Sequence, residues 1–190
     1  MTEAEYLAFE DASETKHEFV DGHVYDWPGY DYDAQGLAGA SRAHNQLQVR
    51  VIAALAPFAA AAGCEVYGSD MRLRVRQSRT RRYYYPDAMV VCDRELREDE
   101  GDDDMHVTRP CVIIEILSRR SARIDHTEKV QVYLAIPSVQ AYVIVHQQQR
   151  RVERHWRDEA DGTWQVEVIT GGSVPIPGLG VELPLDEIYR

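Results

Sequence analysis

Glu115 stands alone in an otherwise apolar run, CVIIEIL at residues 111–117. Burying an ionised carboxylate is expensive unless it is paired, protonated or bound to metal. Asp87 follows Pro86 at the mouth of a second apolar run, DAMVV. If the two runs are neighbouring strands, two carboxylates meet. Their repulsion disfavours ionising both unless a divalent cation lies between them. An all-oxygen ligand set on a rigid sheet suits Mg²⁺ or Mn²⁺ better than zinc. Lys129 lies in the helical stretch after Glu115. A helix crossing back over the sheet aims its ammonium at the metal pair, to position water and stabilise charge developing on a phosphate. Each residue also has a plainer reading: Glu115 paired with an arginine, Asp87 as a turn residue, Lys129 as a solvated helical lysine.

The elements that must position these groups are legible in outline. Thr2 with Glu5 is a capping-box pattern that starts a short helix carrying Tyr6, Leu7 and Phe9. HEFVDGHVYDW, residues 17–27, predicts two short strands turning at Asp21-Gly22. Residues 28–39 are rich in Gly, Asp and Tyr and predict a loop. Ser41 caps a long helix in which Leu47, Val51, Leu55 and Phe58 share one face; Pro57 interrupts it and Gly63 ends it. Residues 65–75 supply strand material, and DAMVV and CVIIEIL supply two more strands. A helix from Asp125 to about Ile136 precedes a strand at AYVIV, residues 141–145. Residues 152–156 and 164–169 predict a terminal hairpin around Asp161-Gly162. The 190 residues are expected to form one domain, with no linker and no internal repeat.

Composition excludes several classes. Hydrophobic residues make up 44% and charged residues 28%, as in ordinary globular chains. The N-terminus is acidic where a secretory leader is basic, and the longest apolar run, residues 51–63, is too short to cross a bilayer. A cytoplasmic protein with no membrane contact is expected. Cys64, Cys92 and Cys111 are few, odd in number and never in a CxxC pair, which argues against a disulfide framework or a zinc knuckle. The net charge of -11 opposes nucleic acid in bulk, yet it is uneven. DRELREDEGDDD at 93–104 is strongly acidic, and RLRVRQSRTRR at 72–82 is the reverse.

Several blocks together carry a resemblance: KHEFVDG, GASRAHNQL, GCEVYGSDMRLRV, YPDAMVVC, IIEILS, DHTEKVQVY and IPSVQAYVIV. In order and spacing, from about Thr2 to about Trp156, they resemble the Uma family of proposed restriction endonucleases, a branch of the PD-(D/E)XK nuclease superfamily. The resemblance implies a restriction-endonuclease-like α/β (α+β) core of order αβββαβ. A mixed central sheet would be flanked by helices, with the hairpin as a C-terminal extension. It also implies Mg²⁺- or Mn²⁺-dependent hydrolysis of phosphodiester bonds in DNA. Asp87 and Glu115 fall on the family's acidic positions. The usual lysine, two residues after Glu115, is Leu117 here, and in this branch Lys129 takes its place. Glu18 resembles an additional metal ligand, and the backbone carbonyl of Ile116 completes the implied shell.

His44 and Asp70 also sit in family blocks. His44 could touch substrate or carry a proton, and a hydrogen-bonded structural role is the plainer reading. Asp70 could join the acidic cluster or cap a turn. Tyr133 shares a helix face with Lys129. Candidate phosphate contacts are Arg119, Arg120 and Arg123, close after Glu115, and the alternating Arg72, Arg74 and Arg76, which share a strand face. That face is more often simply the solvated side of a strand. The sequence departs from the family pattern at Arg119-Arg120, at His146 and in a Trp27–Gly36 insertion. The rival readings are a catalytically inactive binding or assembly module on the same fold, a hydrolase using His44, His126 or His146 with a metal, and a structural oligomer. No HExxH-like spacing supports the histidine reading. A homodimer is expected by analogy with enzymes that cut both strands.

Overall fold

The computed structural model describes residues 1–26, 41–77, 80–92, 105–117 and 125–190, with backbone alone at 80 and 125–127. The expected 28–39 loop, the acidic 93–104 segment, the whole Trp27–Gly36 insertion, Arg119, Arg120, Arg123 and the His126 side chain lie outside the described residues.

Helix α1, Glu3–Asp11, starts from the expected capping box: Thr2 N–H donates to Glu5 and Glu5 N–H donates to Thr2 Oγ1. Strands β1, His17–Val20, and β2, His23–Asp26, form a hairpin. Its turn uses positive φ at Asp21 and Gly22, the pair the sequence marks. Helix α2, Arg42–Ala61, starts with His44 N–H on Ser41 Oγ and runs through Pro57. Residues 65–75 do not form one strand. They divide into β3, Glu65–Gly68, and β4, Arg72–Gln77, which belong to different sheets. Strand β5 is Thr80–Tyr84 and β6 is Ala88–Val91. Next come β7, His106–Val107, and β8, Val112–Leu117. Helix α3, Asp125–Leu134, leads into β9, Ala141–His146. The hairpin of β10, Val152–Arg157, and β11, Trp164–Ile169, forms as expected. A second hairpin, β12 (Ser173–Ile176) and β13 (Val181–Pro184), and a short helix α4, Leu185–Ile188, finish the chain.

The architecture is mixed α/β. The central sheet has the order β11-β10-β9-β8-β6-β3, and a second sheet the order β2-β1-β5-β4-β7. In the central sheet β8 runs parallel to β9 and antiparallel to β6, so β8 is flanked on both edges as its apolar sequence requires. Side chains alternate across it. Val112, Ile114 and Ile116 join a core with Leu47, Val51 and Leu55 of α2. Ile113 and Leu117 join a core with Val132 and Tyr133 of α3 and Leu73 and Tyr84 of the second sheet. Glu115 shares that second face.

The C-terminal segment is a finding that the sequence did not signal. Val174, Ile176, Leu183, Leu185 and Ile188 are buried in the α2 core. The β10–β11 hairpin in turn closes over the end of α3. Trp164 Nε1 and Arg157 Nη2 both donate to the Leu134 carbonyl, at 3.0 and 3.4 Å. An arginine there also complements the negative end of the helix dipole.

Two expectations are corrected. The register Glu65↔Val91 brings Cys64 opposite Cys92, and the two form a disulfide. Count and spacing carry no information about that register. The Arg72, Arg74 and Arg76 face is not a solvated one either. Arg72 is buried, donating to the Met105 carbonyl and lying 3.5 Å from Asp11. Arg74 pairs with Glu3 at 2.8 Å. Of the three, only Arg76 is exposed.

Candidate active site

Five elements deliver polar groups to one place. The β6–β8 register pairs Ala88 with Ile114, so Asp87 and Glu115 are the next residues along the two strands. Asp87 is 4% exposed. One of its carboxylate oxygens accepts from the Ile116 backbone N–H at 2.6 Å, and the other from His44 Nε2 at 2.9 Å. Gln48, one turn beyond His44 on α2, donates to the Asp87 carbonyl at 2.9 Å. Side chains at i and i+4 share a helix face, so the two together clasp one residue.

Glu115 receives its partners from α3. Lys129 Nζ donates to Glu115 Oε1 at 3.5 Å and to Glu18 Oε1 of β1 at 2.8 Å. Tyr133, four residues after Lys129, donates its hydroxyl to the same Glu115 oxygen at 3.0 Å. Lys129 therefore ties the central sheet to the second sheet through two carboxylates. Its ammonium also lies 5.7 Å from the centre of the Tyr84 ring. Glu18, His44, Asp87 and Lys129 are all buried.

The electrostatics are unbalanced towards negative charge. Burial pushes the Glu115 carboxyl up to about 7. Lys129 pulls it down, while Asp87 and Glu18 push it up further and the Tyr133 hydrogen bond lowers it. Burial first, and then the Glu115 charge, hold the Tyr133 hydroxyl well above its ordinary value. Among the described residues no three His, Cys, Asp or Glu side chains stand at metal-ligating spacing. Lys129 stands between Glu18 and Glu115, and His44 holds one Asp87 oxygen. The donor chemistry nevertheless fits a hard divalent cation. Asp87 and Glu115 supply oxygens from adjacent strands, and burial, the largest cause of the raised Glu115 carboxyl, disfavours its charge in the metal-free site, with the Asp87 and Glu18 charges adding to it.

The structure thus brings together Asp87, Glu115, Lys129, Glu18, His44 and Tyr133. It does not bring Asp70, whose side chain is exposed and bonds to Lys16 at the turn before β4. Gln48 was missed by sequence reasoning. Its only signal is the four-residue spacing from His44, which any helical glutamine can have.

The Uma2 family, described as "Putative restriction endonuclease", matches residues 3–186. An uncharacterized protein of Synechocystis sp. is 32% identical over 176 residues, covering 93% of this chain and 91% of the relative. A second uncharacterized Synechocystis protein is 25% identical over 191 residues, covering 100% of this chain and 92% of the relative. The fold matches a crystal structure described as "a putative nuclease belonging to DUF820", from Anabaena variabilis, with a TM-score of 0.75 and 17% identity. That match covers 100% of this chain and 97% of the other.

Proposed function

The chain belongs to the Uma2 family, and from that premise we propose that it is a Mg²⁺- or Mn²⁺-dependent endonuclease that hydrolyses phosphodiester bonds in DNA. The observation that carries this reading is the convergence of Asp87 and Glu115 from adjacent strands with Lys129 in reach of Glu115.

Asp87, Glu115 and the Ile116 carbonyl would hold the ion, with Glu18 able to add an oxygen. When bound, the ion supplies Lewis acidity towards a phosphate oxygen and lowers the pKa of a water. The chain's own groups do the rest. The Ile116 N–H and His44 fix the Asp87 carboxylate, so its orientation does not have to be established during the reaction. Lys129 supplies a buried positive charge beside the site, where charge builds on a phosphate in the transition state. Tyr133 holds Glu115 on the side facing Lys129. Arg119, Arg120 and Arg123 follow Glu115 closely in the chain and are assigned to phosphate contact. Affinity for DNA should then fall steeply with added salt. Cutting both strands of a duplex takes two such centres, which a homodimer supplies. No helix among the described residues is long and apolar enough to cross a membrane.

The test is cleavage of plasmid DNA with Mg²⁺ or Mn²⁺ by the wild type, Asp87→Ala and Glu115→Ala. Loss of about a thousandfold or more is expected for both variants, together with loss of Mn²⁺ binding by calorimetry. Cleavage at the wild-type rate by either variant overturns the proposal. A wild type that neither binds Mn²⁺ nor cuts DNA makes the chain an inactive module on a nuclease fold.

A further inference from the structure

The three cysteines meet at the ends of β6 and β8 opposite to the acidic pair. Cys64 and Cys92 are the next residues out from the Glu65↔Val91 pair, with Cα atoms 4.1 Å apart, and they are joined by a disulfide. Cys111 opens β8. Its backbone N–H donates to the Val90 carbonyl at 2.8 Å, and its Sγ lies 3.0 Å from Cys92 Sγ. Cys64 and Cys111 are buried, and Cys92 is half-buried. A thiol sulfur is therefore already in reach of a disulfide sulfur, at about the 3–3.5 Å separation of groups poised to react. Nothing in the candidate active site uses this cluster.

We propose that Cys64, Cys92 and Cys111 form a thiol–disulfide exchange centre in which Cys92 is the shared sulfur. The Cys111 thiolate attacks Cys92 Sγ. The Cys92–Cys111 bond forms as the Cys64–Cys92 bond breaks, and Cys64 leaves as a thiolate that takes up the proton Cys111 gave up. Cys111 is oxidised and Cys64 is reduced, so the step consumes no outside oxidant or reductant. Its structural result is specific. A crosslink between β3 and β6 becomes one between β6 and β8, the two strands that lead to Asp87 and Glu115.

Two magnitudes set the pace. Burial pushes the Cys111 thiol up to about 11, so about one molecule in ten thousand carries the thiolate at neutral pH. Against that, well-oriented intramolecular reactions reach effective concentrations of about 10⁵ M or more. The exchange is slow rather than forbidden.

The test is disulfide mapping of the full chain by proteolysis and mass spectrometry, after acid quench and alkylation without reduction. The wild type should show one free thiol per chain and both isomers, Cys64–Cys92 and Cys92–Cys111, the second growing in on incubation at pH 9. Cys64→Ser treated with oxidised glutathione should close to a Cys92–Cys111 bond, with Cys64→Ala as a second version of the same experiment. Cys111→Ser should hold only Cys64–Cys92. A wild type that keeps a single isomer throughout overturns the proposal. So do Cys64 variants that carry glutathione adducts without an internal bond while retaining the wild-type near-ultraviolet circular dichroism.

Discussion

On its α2 side, β8 sends Val112, Ile114 and Ile116 against Leu47, Val51 and Leu55. On its α3 side the same strand sends Ile113, Glu115 and Leu117 towards Tyr133, Tyr142 and Lys129. One six-residue strand thus serves a plain apolar core on one face and a charged cluster on the other. The difference teaches how a chain can carry buried carboxylates at all. Desolving Glu115 and Glu18 opposes folding, and an apolar face elsewhere on the same sheet offsets that cost. It follows that damage on the two faces should read out differently, in chemistry and stability together on one and in stability alone on the other.

The largest expected effect is on the charged face. Lys129→Met removes the ammonium that pairs with both Glu18 and Glu115. DNA cleavage should fall by about 10²–10³-fold. Stability should also fall, by about 3 kcal/mol, because two buried carboxylates lose an ammonium partner. Urea unfolding beside the cleavage assay separates the two losses. A Lys129→Met chain that cuts DNA at the wild-type rate breaks the division between the faces.

Next is the apolar face. Leu55 is fully buried against β8. Leu55→Ala should cost about 2–5 kcal/mol in urea unfolding and leave Mn²⁺ affinity unchanged while the chain is folded. If the affinity falls in step with stability, the faces are coupled and the distinction is too sharp.

A smaller effect separates the faces by pH. The Glu115 carboxyl is raised from 4.5 to about 7. Between those values the folded chain holds a proton that the unfolded chain has released. Glu115 therefore contributes stability below about pH 4.5, and that contribution is lost as pH rises through about 7. The loss is at most about 3 kcal/mol. Glu115→Gln has no such proton to lose. In EDTA its advantage over the wild type should grow from pH 4.5 to 8 in thermal melts, and Mn²⁺ should reverse it. Parallel curves for the two chains would place the charge imbalance elsewhere.

The same contrast explains what the sequence made legible. Asp87 and Glu115 stand out because apolar strands tolerate few carboxylates, so a lone one announces itself. The helix periodicity that marks Leu47, Val51 and Leu55 is equally plain. Arg72 and Arg74 were misleading because alternation says which residues share a face, not whether that face meets water or a second sheet. Strand β5 escaped notice because TRRYY reads as a charged turn until Tyr83 and Tyr84 are seen buried. The β12–β13 hairpin is short and punctuated by Pro and Gly, so its core residues look like loop. The Cys64–Cys92 bond depends on a strand register that sets residues 28 apart in the chain opposite one another, which no local pattern encodes. Lys129 is marked by its place on the helix after Glu115 and again by the family resemblance, but neither encodes its reach, which depends on where α3 crosses the sheet.

The smallest effect tests the charged face most finely. Tyr133 donates to Glu115 Oε1 at 3.0 Å and lies four residues beyond Lys129, so one helix face presents both partners of one carboxylate. A hydroxyl that donates to a carboxylate favours its charged form, and the Tyr133 bond does lower the Glu115 carboxyl. Tyr133→Phe keeps the ring against Tyr84 and Tyr142 and removes only the donor. A hydrogen bond to a charged group contributes about 1.5 kcal/mol or more, which corresponds to about one pKa unit. In the metal-free protein the Glu115 midpoint should therefore move up by about one unit, read from the carboxyl carbon shift of Glu115 by NMR. Stability at pH 5, where Glu115 is protonated in both chains, should change far less than at pH 8. An unmoved midpoint would mean that the Tyr133 hydroxyl does not face the ionised group in solution, and that of the two α3 groups only Lys129 balances Glu115.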